Sequence, residues 1–407
     1  MKLPNTAYIL LWFPKPSETF IFSEITSLTN LGLPISVYTL YGKLEKNLSS
    51  DMRSYRGRVI HLGMKSIVVH PLFICYWLFR SPAQTVRLIA STLFRKWKGV
   101  EKTAENGWAL LCAFFLAYRF EKDQIQHIHA PWACGCATAA WFASSLTGIP
   151  FSFTIRAWDI YPPDSLIGIK SRDALLVRSE TQYNINCLHE QIGCSKDKMH
   201  LTRNGVPMHE SEHQPQKVVT APFQLLAVGR FVGKKGYQYL FRGCEILRNK
   251  GVDFHLDMVG DGNRLNELKR LSSSLGLASY VTFHGFQPYD QIPKYFRQAD
   301  FFIMPSIIDS SGDRDGIPTV LLEALLYYVP VVATPVSGIP ELVEDGVTGL
   351  LVPPKDPDAI AEAVLQLISD QDIGATMAKN GHDKVVNLFN AQQNHQHVLA
   401  LYNKYLN

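Results

Sequence analysis

At 407 residues the chain exceeds what a single hydrophobic core usually serves, so two domains are expected. Its 46% hydrophobic and 19% charged residues describe a globular protein, and a net charge of +4 with no basic–aromatic module gives no reason to expect nucleic acid as a partner. Seven cysteines, odd in number and without framework spacing, point to free thiols and a reducing compartment.

The apolar run 8–13 stops at Pro14. It lacks the longer apolar core and cleavage site of a signal peptide and reads as a first buried strand. Ser17, following Pro14 and Pro16, is placed to cap a helix over 17–31, and a strand over 35–40 comes next. From Arg53 to Lys122 there are 12 Lys and Arg against Glu101, Glu105 and Glu121. The most apolar stretch here, 66–79, is shorter than the roughly 18 residues of a spanning helix and is interrupted by His70-Pro71. Basic residues mixed with Trp77, Phe79, Phe94 and Trp97 suggest a surface lying on anionic lipid; a core helix with a solvated basic face is the alternative.

Strands over 126–129, 151–155 and 174–177 and a helix over 135–146 complete the first half, which ends near Asn204-Gly-Val-Pro207. His127, His129, Cys134 and Cys136 fall close together, but their spacing is not that of a structural zinc site, and no metal is expected. His129, at a strand end, reads as a polar contact for a ligand, and His127 as structural. The polar, aperiodic run 209–216 marks a linker, taken as 209–220.

Beyond it, strands over 223–229, 254–259, 280–284, 301–305 and 331–334 alternate with helices over 237–249, 264–275, 291–298, 319–328 and 357–368. That alternation means an α/β domain with a parallel sheet covered on both faces. The expected organisation is therefore a first domain over 1–208, a second over 221–385, and a C-terminal helix within 386–407 that can pack back on the first.

Two pairs of residues carry the chemistry. Arg230 and Lys235 follow a strand end in a loop bearing Gly229, suited either to a phosphate or to solvent. Asp315 and Glu323 flank a helix start marked by Gly316, Ile317 and Pro318. The free amides of Thr319 and Val320 would stand at the positive end of that helix. Carboxylates for hydroxyls beside amides for phosphate suit a sugar nucleotide, but an ordinary acidic helix start has the same pattern.

In order along the chain, Val228-Gly-Arg-Phe-Val-Gly-Lys-Lys-Gly236, Asp315 to Glu323, Thr334-Pro-Val-Ser-Gly-Ile-Pro-Glu-Leu342 and Asp345-Gly-Val-Thr-Gly-Leu-Leu-Val-Pro353 resemble glycosyltransferase family 4. Pro16-Ser-Glu-Thr-Phe-Ile21 and Phe151-Ser-Phe-Thr are similar to a branch that builds bacterial exopolysaccharides, including colanic-acid-type enzymes. The resemblance implies a GT-B fold, with two Rossmann-like domains whose parallel sheets face a central cleft, the first binding acceptor and the second nucleotide sugar. It implies retaining hexosyl transfer from a nucleotide-diphosphate donor to a lipid-linked or saccharide acceptor, as in exopolysaccharide or lipopolysaccharide synthesis. The enzyme would be cytoplasmic and peripheral on the inner face of the plasma membrane, and would use no metal and no cofactor beyond its donor.

On this resemblance Arg230 and Lys235 meet the diphosphate, Glu323 the ribose and Asp315 the donor sugar. Gly229, Gly260, Phe286, Gly316, Ile317, Pro318, Thr319 and Val320 line the donor site; Ser17, Glu18, His129, Arg156 and Asp159 face the acceptor or the cleft. Two positions depart from the family pattern. Thr154-Ile-Arg156 stands where many members read Thr-x-His, and Asp315 stands where Glu is commoner. Arginine cannot trade a proton near neutral pH as histidine does. An epimerase of the same architecture and a catalytically weakened binding protein are the alternatives.

Overall fold

A computed structural model describes residues 3–44, 46–93, 100–161, 163–208 and 219–406. The chain divides into two compact units, Met1–Thr202 with Gln392–Asn407, and Arg203–Ala391. In the first, β1 (Thr6–Trp12), β2 (Ile35–Gly42), β3 (Arg58–His61), β4 (His127–Ala130), β5 (Phe151–Ile155), β6 (Leu176–Ser179) and β7 (Met199–Leu201) form one sheet in the order β3-β2-β1-β4-β5-β6-β7. All its pairings are parallel. In the second, β8 (Phe223–Val228), β9 (Phe254–Val259), β10 (Val281–Gly285), β11 (Phe301–Met304), β12 (Val331–Ala333) and β13 (Leu350–Leu351) follow the order β10-β9-β8-β11-β12-β13, again parallel.

Strand side chains alternate between sheet faces, and both sheets are covered on both. Along β1, Ala7 and Ile9 join one core while Tyr8 and Leu10 join another. Leu225 and Ala227 of β8 likewise separate from Leu226 and Val228. The helix Gly135–Thr147 is buried nearly all round, and its Ala-rich sequence lets it approach the first sheet closely. The last helix, Ala391–Leu406, sends Val398 and Tyr402 into the core built by Tyr8 and Leu10.

The units divide elsewhere than at the expected boundaries. Residues 203–208 belong with the second unit, because Val206 N–H donates to Phe389 O (2.9 Å) and Ala391 N–H to Val206 O (3.1 Å). The helix Gln371–Leu388 continues through the expected break at 385. Most of the expected linker, 209–218, lies outside the described residues. Val219, inside that span, is tied to the second unit by Gln371, whose Nε2 donates to Val219 O at 2.7 Å. The basic–aromatic region holds β3 and the helices His70–Arg80, Pro82–Leu93 and Val100–Lys122. Of its aromatic residues, Trp77 is fully buried, with its indole N–H on Phe114 O at 3.0 Å, whereas Phe79 is exposed. Phe94 and Trp97 lie outside the described residues. Among the described residues no helix is long and apolar enough to cross a membrane.

Candidate functional site

In the second sheet the chain leaves β8 toward β9 on one side, and β11 occupies the other. The loops after β8 and β11 therefore flank the point where strand order reverses, the usual ligand crevice of an open parallel sheet. Lys235 comes from the first loop and Asp315 from the second, and Lys235 Nζ lies 2.9 Å from Asp315 Oδ2. The Ser306 hydroxyl donates to the same oxygen at 2.8 Å, and Thr334 Oγ1 fixes Ser306 by donating to its carbonyl at 2.5 Å. Burial alone would raise the Asp315 carboxyl, but Lys235, Lys234 and Ser306 outweigh it and hold it below the ordinary range. Burial lowers Lys235, with Asp315 opposing.

Lys234 is a participant that the sequence reading passed over. Its Nζ is 3.1 Å from Asp313 and 3.7 Å from Asp315, so the adjacent lysines hold both acidic members of Asp313-Arg-Asp315. The Lys-Lys doublet was the available signal, though only one of the two was singled out. Arg230 is exposed and its guanidinium makes no hydrogen bond or ion pair among the described residues, yet it lies near enough to depress Lys235 by charge.

The loops approach so closely that they require glycine. A Cβ on Gly260 would come within 1.9 Å of Gly229 O, and one on Gly236 within 2.0 Å of Pro305 O. Both glycines have positive φ, +143° and +66°, where other residues are strained. Gly260 N–H donates to Gly285 O at 2.9 Å, one residue before Phe286, which is partly exposed.

Gly316 and Ile317 lead into Pro318, which stands at the N-cap of the helix Thr319–Leu326. Among the described residues the amides of Thr319 and Val320 donate to no other group, as first-turn amides do without a cap. Glu323 follows just over a turn later, buried, and burial pushes its carboxyl up to about 7. No hydrogen bond or ion pair reaches that carboxyl among the described residues. Tyr289, not foreseen, stands close enough to be raised partly by its charge.

The first-unit candidates do not form a comparable site. His129 is fully buried, with Nδ1 2.8 Å from Ser152 Oγ and Nε2 3.3 Å from Thr154 Oγ1. Burial and the Arg178 charge keep it neutral, so it is a core group rather than a ligand contact. His127 shares the Ser152 hydroxyl at 2.8 Å, and burial lowers it to about 3. Arg156 is also interior: its guanidinium meets Glu180 at 2.7 Å and donates to Pro131 O at 3.1 Å. Asp159 accepts the amides of Cys134 (3.0 Å) and Arg156 (2.9 Å), so it fixes local backbone. Ser17 is exposed and caps nothing. The helix begins at Thr19 with Glu18 at its N-cap, and Glu18 pairs with Lys15 at 2.7 Å.

A buried cluster that sequence reasoning missed lies nearby. Arg178 on β6 binds both oxygens of Glu24, at 2.9 and 2.6 Å, and Tyr402 Oη at 3.0 Å. Its three members lie far apart in the chain, and no local spacing announces them.

Residues 208–384 match the family described as glycosyl transferases group 1. A protein of Escherichia coli K12 named for colanic acid biosynthesis glycosyltransferase activity is 26% identical over 95% of this chain and 97% of its own length. The amylovoran biosynthesis glycosyltransferase of Erwinia amylovora is 35% identical over 43% of each chain. Among solved structures, a glycosyltransferase of Rickettsia africae superposes with a TM-score of 0.72 at 18% identity, covering 99% of both chains. Anabaena HepE, solved with UDP and glucose, gives 0.69 at 18% identity, covering 98% of this chain and 99% of its own. The loops that bring Lys235 to Asp315 and leave Glu323 unpaired thus lie within the residues that match the group 1 glycosyl transferases, in a chain with the two-domain GT-B fold.

Proposed function

We propose that this protein transfers a sugar from a nucleotide-diphosphate donor to a lipid-linked or saccharide acceptor during synthesis of a bacterial surface polysaccharide. The observation that carries this reading is the meeting of Lys235 with Asp315, with Arg230 close enough to act on Lys235 by charge, in a loop that runs from Asp315 into the open amides of Thr319 and Val320. Cations and helix-start amides together favour a diphosphate and stabilise it further as it departs with more charge. Asp315 holds Lys235 in place, and the donor sugar lies beside that pair. Glu323, a buried acceptor without a partner, takes the ribose hydroxyls, which would satisfy its carboxyl. The polysaccharide setting draws on the relatives named for colanic acid and amylovoran, and the nucleotide class on the UDP bound by the Anabaena neighbour.

Transfer proceeds with retention in this reading. The acceptor hydroxyl attacks on the face the diphosphate leaves, forming the new C1–O bond as the C1–phosphate oxygen bond breaks. The departing phosphate takes the acceptor proton. The protein's part is then positioning and charge stabilisation.

The test is thermal protection by a panel of UDP-, GDP- and ADP-sugars, followed by transfer assays with the stabilising donor. Lys235→Ala should abolish both protection and transfer. Undiminished donor turnover in that variant would refute the assignment, and an epimerised nucleotide sugar formed without acceptor would favour a different reaction.

A further inference from the structure

A helix on a globular surface normally turns a polar face to water. The helix His70–Arg80 does not. Its inner side is well packed, with Trp77 buried and Phe73 edge-on to Phe115 at a centroid distance of 5.0 Å. Its outer side carries Leu72 and Phe79, seven residues apart and so on one face, and they are 69% and 90% exposed. Val68, one turn earlier, is 78% exposed. Met64 and Ile67 in the preceding turn, and Val86 on the helix Pro82–Leu93, are each more than half exposed as well. Single exposed apolar residues are ordinary, but such a concentration within 23 residues marks an interaction surface.

Charge identifies the partner. From Met52 to Val100 the sequence holds nine Lys and Arg and no Asp or Glu. Arg80 is engaged by Glu121 at 2.6 Å, but Lys65 and Arg87, interspersed with the exposed apolar residues, have no ion pair among the described residues. A second copy docked on the same face would set these cations against their own kind. An apolar surface with Lys65 and Arg87 interspersed among its exposed residues, and with Glu121 already engaged by Arg80, fits the boundary between lipid headgroups and acyl chains.

We propose that this face docks on an anionic lipid bilayer, with Leu72 and Phe79 entering the headgroup region and Lys65 and Arg87 meeting lipid phosphates. The helix lies in the plane of the surface, and the contact is independent of any donor or acceptor.

The test is cosedimentation of the full chain, without nucleotide, with vesicles of phosphatidylcholine alone or mixed with phosphatidylglycerol. The protein should sediment with the mixed vesicles and be released by high salt. Phe79→Ser with Leu72→Ser should weaken partitioning by at least about tenfold. Lys65→Glu with Arg87→Glu should weaken binding to the mixed vesicles only. Because these side chains are exposed, melting curves should match those of the parent, so misfolding cannot produce the loss. Failure of the parent to bind mixed vesicles, or equal binding by parent and Phe79→Ser/Leu72→Ser, overturns the proposal. A parent that is dimeric by light scattering and made monomeric by Phe79→Ser, without vesicle binding, would assign the face to self-association instead.

Discussion

Replacing Glu323 with Gln should stabilise the unliganded protein while damaging the site. The carboxyl rises from an ordinary 4.5 to about 7 because burial disfavours its charged form. A raised carboxyl costs nothing below its unfolded value, where both states are protonated. Between about 4.5 and about 7 the unfolded chain releases the proton and the folded one keeps it, so stability is lost progressively as pH rises. The gap, taken at 1.36 kcal/mol per pH unit, amounts to roughly 3 kcal/mol by pH 8. Glutamine is uncharged throughout and escapes this loss. Urea unfolding of both forms should therefore show the Gln variant gaining roughly 3 kcal/mol on the parent between pH 4 and pH 8. In a unit of this size that is a rise in Tm of very roughly 6–12 °C at the upper pH. The same variant should lose protection by nucleotide sugar, since an amide is a weaker acceptor than a carboxylate for ribose hydroxyls. Parallel stability profiles for the two proteins would refute the burial argument; unchanged donor protection would refute the assignment of Glu323 to the ribose.

Other perturbations test neighbouring parts of the structure. Arg178→Met leaves Glu24 buried without the guanidinium that grips both its oxygens, and should cost about 3–5 kcal/mol in urea unfolding. Arg178→Lys should restore little, because one ammonium cannot reproduce the two-pronged contact. Full stability in either variant would show that the pair is dispensable. Gly260→Ala drives a methyl group to 1.9 Å from Gly229 O and should abolish donor protection along with part of the second unit's stability. Gly346→Ala, at φ +70° but in open space, should cost only about 1–2 kcal/mol, so equal effects at the two positions would contradict the steric account.

Much of this was legible because the two sheets are parallel and buried, so their strands read as short apolar runs. Strands β3, β7 and β13 escaped because they are two to four residues long and lie at or near sheet edges. The pairing of Lys235 with Asp315 was within reach, since both follow strand ends in a pattern with a known ligand crevice. The interior fate of Arg156 was not: only the fold shows that Glu180, 24 residues away, neutralises it. The same holds for His129, whose strand-end position suggested access while Ser152 and Thr154 enclose it. Trp77 and Phe79 are two residues apart in a run that is apolar on every side, so periodicity could not say which of them faced water.

The helix Ala391–Leu406 bears on the order in which the protein can be made. Tyr8 and Leu10 are translated before the second unit, yet Val398 and Tyr402, which close their core, are translated only after the whole of it. Until then Arg178 lacks its Tyr402 contact and one flank of the first unit stays open to water. The amino-terminal unit is therefore the later of the two to finish. A protease or a stalled ribosome acting near residue 391 would damage the part of the molecule farthest back in the chain.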